Sequence, residues 1–233
     1  MNQLRFTPYA WAKLNWFCHK TPNEIGGFGI SSKEDLLLVE DFITVKQQTS
    51  CASVEFDPDD VALFQDKMLE AGFTLQQFAR IWIHTHPSGV LKPSAQDEKQ
   101  FAEDFGRPNW MIMFILIKGG QTYCRMKLDI GPIVSQVDIP SCIDWTKPFK
   151  ASDHAAWEKE FNENVSEKIY QMPCPLAVLH KDKKEEKYSW FNDLDDDEKD
   201  FWLLNKNLIG SKPINDEDEW DLKLMADLNL IIE

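Results

Sequence analysis

The stretch that most constrains this chain runs Ile81-Trp82-Ile83-His84-Thr85-His86-Pro87 and, after a loop, Ser94-Ala95-Gln96-Asp97. Strand side chains alternate with period two. Ile81, Ile83 and Thr85 therefore fall on one face, and Trp82, His84 and His86 on the other. The two imidazoles then project together, about 7 Å apart at the backbone. That separation suits two ligands of one tetrahedral zinc, whose Zn–N bonds are about 2.0–2.1 Å. Pro87 cannot donate to a sheet ladder and ends the strand. Ser88-Gly89 begins a turn, and Lys92-Pro93-Ser94 leads into a helix with Asp97 in its first turn. A carboxylate there can face back to the histidines. Three protein ligands leave a fourth position for water, the pattern of catalytic rather than structural zinc.

Each half also has an ordinary reading. His-x-His on a strand arises by chance, and Ser94-x-x-Asp97 is a normal helix N-cap followed by a first-turn acid. The two halves at this spacing, with Pro87 between them, are far harder to ascribe to chance.

His84-x-His86, the seven residues Pro87 to Pro93, and Ser94-x-x-Asp97 together resemble the JAMM motif of the JAB/MPN metalloproteases. That family also carries a glutamate near the end of an early strand, followed by glycines and apolar residues. Glu24-Ile25-Gly26-Gly27-Phe28-Gly29-Ile30 is similar. The resemblance implies an α+β fold: a curved mixed β-sheet flanked by helices, of the JAB/MPN or cytidine-deaminase-like type. It implies one zinc ion per chain, held by His84, His86 and Asp97. It makes Glu24 the group that hydrogen-bonds the zinc's water, takes its proton and passes that proton to the leaving amine. Ser94 would donate to the developing oxyanion, an effect worth a few kcal/mol.

What the resemblance implies for function is a zinc-dependent peptidase or isopeptidase. Zinc suits the task because it lowers the pKa of its water towards about 7 and polarises the scissile carbonyl. The short loop after His86 and the modest size look like the prokaryotic branch. A ubiquitin-like protein is then the expected substrate, with ubiquitin-like conjugation enzymes as companions. Small residues at Gly26 and Gly27 would leave room for an extended, glycine-tailed chain. Two alternatives stand beside this: a non-catalytic MPN interaction module, and a phage or cell-wall peptide hydrolase.

Other zinc chemistries fit worse. No His-Glu-x-x-His segment is present, and no His-x-Glu accompanies a Pro-Cys-x-x-Cys. His19, His154 and His180 lie outside ligand spacing, and Glu98 points elsewhere on the helix that carries Asp97. A net charge of −14 argues against a nucleic-acid binder, which needs a basic face. Five scattered cysteines without a C-x-x-C pair read as reduced thiols of a cytoplasmic protein. The longest apolar run, Trp110 to Ile117, is too short to span a bilayer and reads as a buried strand.

The remaining pattern supports two segments. In residues 1–148, Thr7-Pro8 opens a helix through Trp11, Leu14 and Phe17. Glu24 to Ile30 and Leu36 to Val45 read as strands joined by a turn at Ser32 to Asp35, and Val54 to Phe56 as a third. Asp57-Pro58 caps a helix with Val61, Phe64, Met68 and Leu69 on one stripe and Gly72 at its end. Phe78 to His86 is the histidine-bearing strand and Ser94 to Phe105 the following helix. Trp110 to Lys118 and Gln121 to Asp129 form a hairpin about Gly119-Gly120, and Ile133 to Ile139 is a last strand. Residues 149–233 form an acidic, aromatic-rich extension, largely helical. It includes an amphipathic segment from Trp157 to Ile169, a charge run from Lys181 to Lys187, the acidic Asp193 to Asp200, and an apolar tail from Trp220 to Ile232. Its aromatic content is too high for a disordered tail.

Overall fold

The computed structural model describes residues 3–87, 89–103, 105 and 108–168. The chain divides into two units, Met1–Tyr170 and Gln171–Glu233. The second unit lies outside the described residues, and with it the charge run, the acidic segment, the apolar tail, Cys174 and His180. Ile169, where the amphipathic segment was expected to end, is outside them too.

The first unit is α+β, as the pattern predicts. In chain order it runs β1 (Leu4–Phe6), α1 (Pro8–Lys20), β2 (Gly26–Ser31), β3 (Leu38–Ile43), β4 (Gln47–Thr49) and β5 (Val54–Phe56). Then come α2 (Pro58–Glu70), α3 (Leu75–Phe78), β6 (Ile81–His86), α4 (Ala95–Glu103), β7 (Trp110–Ile117) and β8 (Thr122–Asp129). It closes with β9 (Val134–Asp138), β10 (Ser141–Ile143), α5 (His154–Asn164) and β11 (Val165–Glu167). Eight strands form one mixed sheet in the order β10-β1-β3-β2-β6-β7-β8-β9, and β11-β4-β5 form a small second sheet. The large sheet curls into a half-barrel. Beyond β9, Ile139 N–H still reaches the Cys124 carbonyl of β8 at 3.0 Å. The Thr122 and Ser141 hydroxyls then meet at 2.8 Å, and β10 pairs in parallel with β1.

The caps are where the side chains predict them. Thr7 Oγ1 accepts from Ala10 N–H at 3.2 Å at the start of α1. Asp57 accepts from both Asp59 and Asp60 N–H at the start of α2. Four short strands, β1, β4, β10 and β11, carry no alternation long enough to read. The strand expected from Phe78 begins only at Ile81. Gln77 Oε1 accepts from Thr74 N–H at 3.0 Å, and the backbone winds into the helical turn α3, with Phe78 buried. Leu69 is not on the core stripe of α2: it is exposed, and Phe64 and Met68 make the contact.

The sheet separates two apolar clusters. Ile81 and Ile83 of β6 and Ile112, Phe114 and Leu116 of β7 pack with Leu14 and Phe17 of α1. Trp82, Met111, Met113 and Ile115 pack on the opposite face with Phe64, Phe78, Phe101 and Phe105. The central strands are therefore sealed on both sides, as in sheets covered by helices. α5 belongs to the first cluster through Trp157, which is 1 % exposed and donates from Nε1 to Tyr9 at 3.2 Å. Beneath it, buried Lys13 of α1 pairs with Glu160 at 2.8 Å and Asp41 at 3.2 Å. Among the described residues no helix is long and apolar enough to cross a membrane.

Truncating a fully buried tryptophan costs about 3–5 kcal/mol. Trp157→Ala is expected to lower stability by that amount, read from the urea unfolding midpoint. An unchanged midpoint would separate α5 from the core.

Candidate metal centre

The alternation of β6 decides which side chains meet. Thr85, on the face of Ile81 and Ile83, turns inward: its Oγ1 accepts from Ile25 N–H at 3.0 Å, and its N–H donates to Ile25 O at 3.0 Å. His84 and His86 project on the Trp82 face, beneath α4. The Trp82 indole stacks on the His84 ring, centroids 4.4 Å apart and 27° between planes, which fixes the plane of that imidazole.

Asp97 comes to the same place through a reciprocal cap at the start of α4. Its N–H donates to Ser94 Oγ at 3.1 Å, and its Oδ2 accepts from Ser94 N–H at 2.8 Å. The carboxylate then straddles both rings, Oδ1 lying 3.2 Å from His84 Nε2 and Oδ2 3.3 Å from His86 Nε2. The two Nε2 atoms are 3.1 Å apart. Glu24 Oε1 stands 3.6 Å from His86 Nε2. All four residues are buried, none more than 5 % exposed. The five residues expected at the site thus converge, with Ser94 at its rim.

Protonation follows from the partners. His86 Nδ1 lies 2.8 Å from the carbonyl of Val90. A carbonyl only accepts, so Nδ1 carries the proton and Nε2 of the neutral ring carries a lone pair. That lone pair faces oxygens of Asp97 and Glu24, which also only accept when ionised. Burial holds the His84 imidazole below its ordinary pKa, against the pull of Asp97. Burial pushes the Asp97 carboxyl up, but the attraction of the two imidazoles when they carry a proton towards it outweighs burial and holds it below the usual carboxylate range. With His86 Nδ1 protonated, His86 Nε2 and the carboxylate oxygens are acceptors turned to one buried point, where a cation would satisfy them together. Among the described residues, His84, His86 and Asp97 are the group of three able to hold a metal ion, with ligand atoms within 4.8 Å of one another.

Glu24 sits ahead of β2 rather than within it, and its backbone is tied down on both sides. Glu24 N–H donates to Ser50 O at 2.8 Å. Gln47 of β4, itself 3 % exposed, clasps the next residue but one. Its Oε1 accepts from Gly26 N–H at 2.8 Å, and its Nε2 donates to Gly26 O and Val45 O, both at 2.9 Å. No spacing in the sequence links Gln47 to Glu24, because β4 has no readable pattern. Nor do Gly26 and Gly27 hold space open for a substrate. A Cβ on Gly26 would lie 2.7 Å from the Phe56 ring, and one on Gly27 2.4 Å from the Ile43 carbonyl. The glycines admit this chain's own residues. An open groove of about 470 Å³ lies elsewhere, between α1 and α5, where His19 and His154 sit beside Trp16 and Trp157.

No family model matches this chain, and no curated protein matches it significantly. Solved structures similar to it include the solution structure of protein DSY2949 from Desulfitobacterium hafniense. That likeness has a TM-score of 0.44 and 16 % identity, over 64 % of this chain and 95 % of that one.

Gln47→Leu would strip partners from the buried Gly26 N–H and two carbonyls. At about 1–3 kcal/mol for an orphaned buried group, a loss of about 2–4 kcal/mol is expected in urea unfolding. Wild-type stability in that variant would show that the clasp does not hold the Glu24 segment.

Proposed function

We propose that this protein is a zinc-dependent peptidase or isopeptidase of JAB/MPN type, with a ubiquitin-like protein as its substrate. The observation that carries the reading is the convergence of His84, His86 and Asp97, with Glu24 beside His86 but outside the ligand triangle. Two atoms bonded to a tetrahedral zinc at about 2.0–2.1 Å stand about 3.3–3.4 Å apart. The ligand-atom contacts of 3.1, 3.2 and 3.3 Å are near that size, so the side chains fit the ion with little movement. Two imidazoles and one carboxylate are also a donor set that zinc takes readily. The curled α+β sheet is compatible with the JAB/MPN fold.

When bound, the ion would supply Lewis acidity towards the scissile carbonyl and lower the pKa of a coordinated water. The chain's own residues do the rest. Glu24 Oε1, 3.6 Å from His86 Nε2, would accept a proton from the attacking water and return it to the leaving amine, a role typically worth 10²–10⁴-fold. Ser94 Oγ accepts from Asp97 N–H, which leaves its own hydrogen to donate to a developing oxyanion. Capping and oxyanion binding therefore use different parts of one hydroxyl. Trp82 and Phe101 wall the histidine side against water. The substrate class follows the resemblance of the His84 to Asp97 segment. A carboxylate as deeply buried as Glu24 favours an enzyme over an interaction module, since a scaffold gains nothing from a buried acid beside the ligands.

Two variants test this. Asp97→Ala is expected to lose stoichiometric zinc by elemental analysis. Glu24→Gln is expected to keep zinc and cleave a ubiquitin-like fusion at least about 10²-fold more slowly. Wild-type turnover by Glu24→Gln would overturn the assigned chemistry.

A further inference from the structure

Glu98 follows Asp97 in the first turn of α4 and takes no part in the ligand set. Its carboxylate is gripped by Arg125 of β8: Nη1 donates to Oε1 at 2.8 Å and Nη2 to Oε2 at 2.6 Å. This is the two-pronged geometry in which arginine gives direction as well as attraction. The same guanidinium lies 5.5 Å from the centroid of the Phe101 ring, one turn further along α4. Arg125 thus holds the helix at two points, both within the turn that follows Asp97.

The grip is anchored in the sheet beside the histidines. Arg125 is the cross-strand partner of Met113 on β7, and Met113 is the partner of Trp82 on β6. Cross-strand partners share a face, so Trp82, Met113 and Arg125 form one row beneath α4, two residues before His84 along β6. Phe101 stacks on Trp82 at 6.2 Å. The Arg125 side chain is 13 % exposed, and that of Glu98 44 %. The row therefore fixes α4 relative to the strand that carries both histidines.

We propose that Arg125 and Glu98 are a positioning pair that holds Asp97 at its metal-ligating distance and so sets the affinity of the site. The proposal rests on the reading of His84, His86 and Asp97 as metal ligands. Its sign separates it from simple electrostatics. Arg125 is a positive charge near the cation, so removing it relieves repulsion and tightens metal binding. Positioning demands the opposite.

The test is the Zn²⁺ affinity of the full chain, by competition with a chromogenic chelator, far below the unfolding midpoint. There, a merely global loss of stability leaves the affinity of the folded protein unchanged. Arg125→Met is expected to bind Zn²⁺ about tenfold more weakly, the lower end for supporting residues around a metal. Arg125→Lys keeps the charge but not the fork, and is expected to weaken binding too. It decides the matter if Arg125→Met does not fold. Affinity in Arg125→Lys equal to wild type, or tighter binding in Arg125→Met, overturns the pair. If wild type itself binds no more zinc than Asp97→Ala, the ligand reading fails and the pair with it. Tight binding by wild type and Arg125→Met, against weak binding by Asp97→Ala, sinks the pair alone.

Discussion

The site depends on β6 being sealed on both faces. A strand with one wet side could leave two imidazoles to water. Here Ile81 and Ile83 are locked into one cluster and Trp82 into the other, so a slip of one residue would drive isoleucines and a tryptophan into the wrong cores. The register is therefore fixed by apolar packing, and the histidines are carried into a dry interior as a consequence. Once there, they need a polar partner, because burying an unpaired lone pair or charge costs several kcal/mol. Asp97 is that partner, and the three side chains together form a group that could also hold a cation.

The sequence shows this much because its information is local. Alternation within Ile81 to His86, the stop at Pro87 and the Ser94-to-Asp97 cap each act over a few residues, and each is found in the structure. The caps at Thr7 and Asp57 were legible for the same reason. What supports the site from a distance was not. Gln47 reaches Gly26 from a three-residue strand with no periodicity. Arg125 reaches Glu98 across a sheet whose strand order no short pattern reveals. The glycines misled in an instructive way: residues without side chains mark a close approach, but the pattern does not say whether substrate or the protein's own Phe56 and Ile43 makes it.

The candidate metal ligands and the candidate acid are held by separate parts of the fold. His84, His86 and Asp97 hang from β6 and α4. Glu24 hangs from the segment before β2, which Thr85 joins to β6 and Gln47 joins to the small sheet. That small sheet is completed by β11, which pairs in parallel with β4, so residues beyond α5 bear on the position of Glu24. Asn23, its neighbour, donates to Glu167 of β11 at 3.1 Å. Disturbing the small sheet would therefore move the acid while leaving the ligands in place, whereas disturbing α4 would do the reverse.

The start of α4 presents a conflict that Asp97 resolves. A helix N-terminus carries partial positive charge from its unpaired N–H groups, an unfavourable place to bring a cation. The Asp97 carboxylate lies between the helix end and the two imidazoles. Oδ2 takes the Ser94 N–H at 2.8 Å, and both oxygens face the imidazoles. The helix end thereby stabilises the charged form of the carboxylate, and that charge would in turn offset the repulsion between the helix end and a bound cation. With His86 already oriented by the Val90 carbonyl and His84 by the Trp82 ring, these donors stand ready before any ion arrives. Little conformational freedom would remain to be lost on binding a cation, so the affinity of such a site would be governed by how accurately its supports hold their distances.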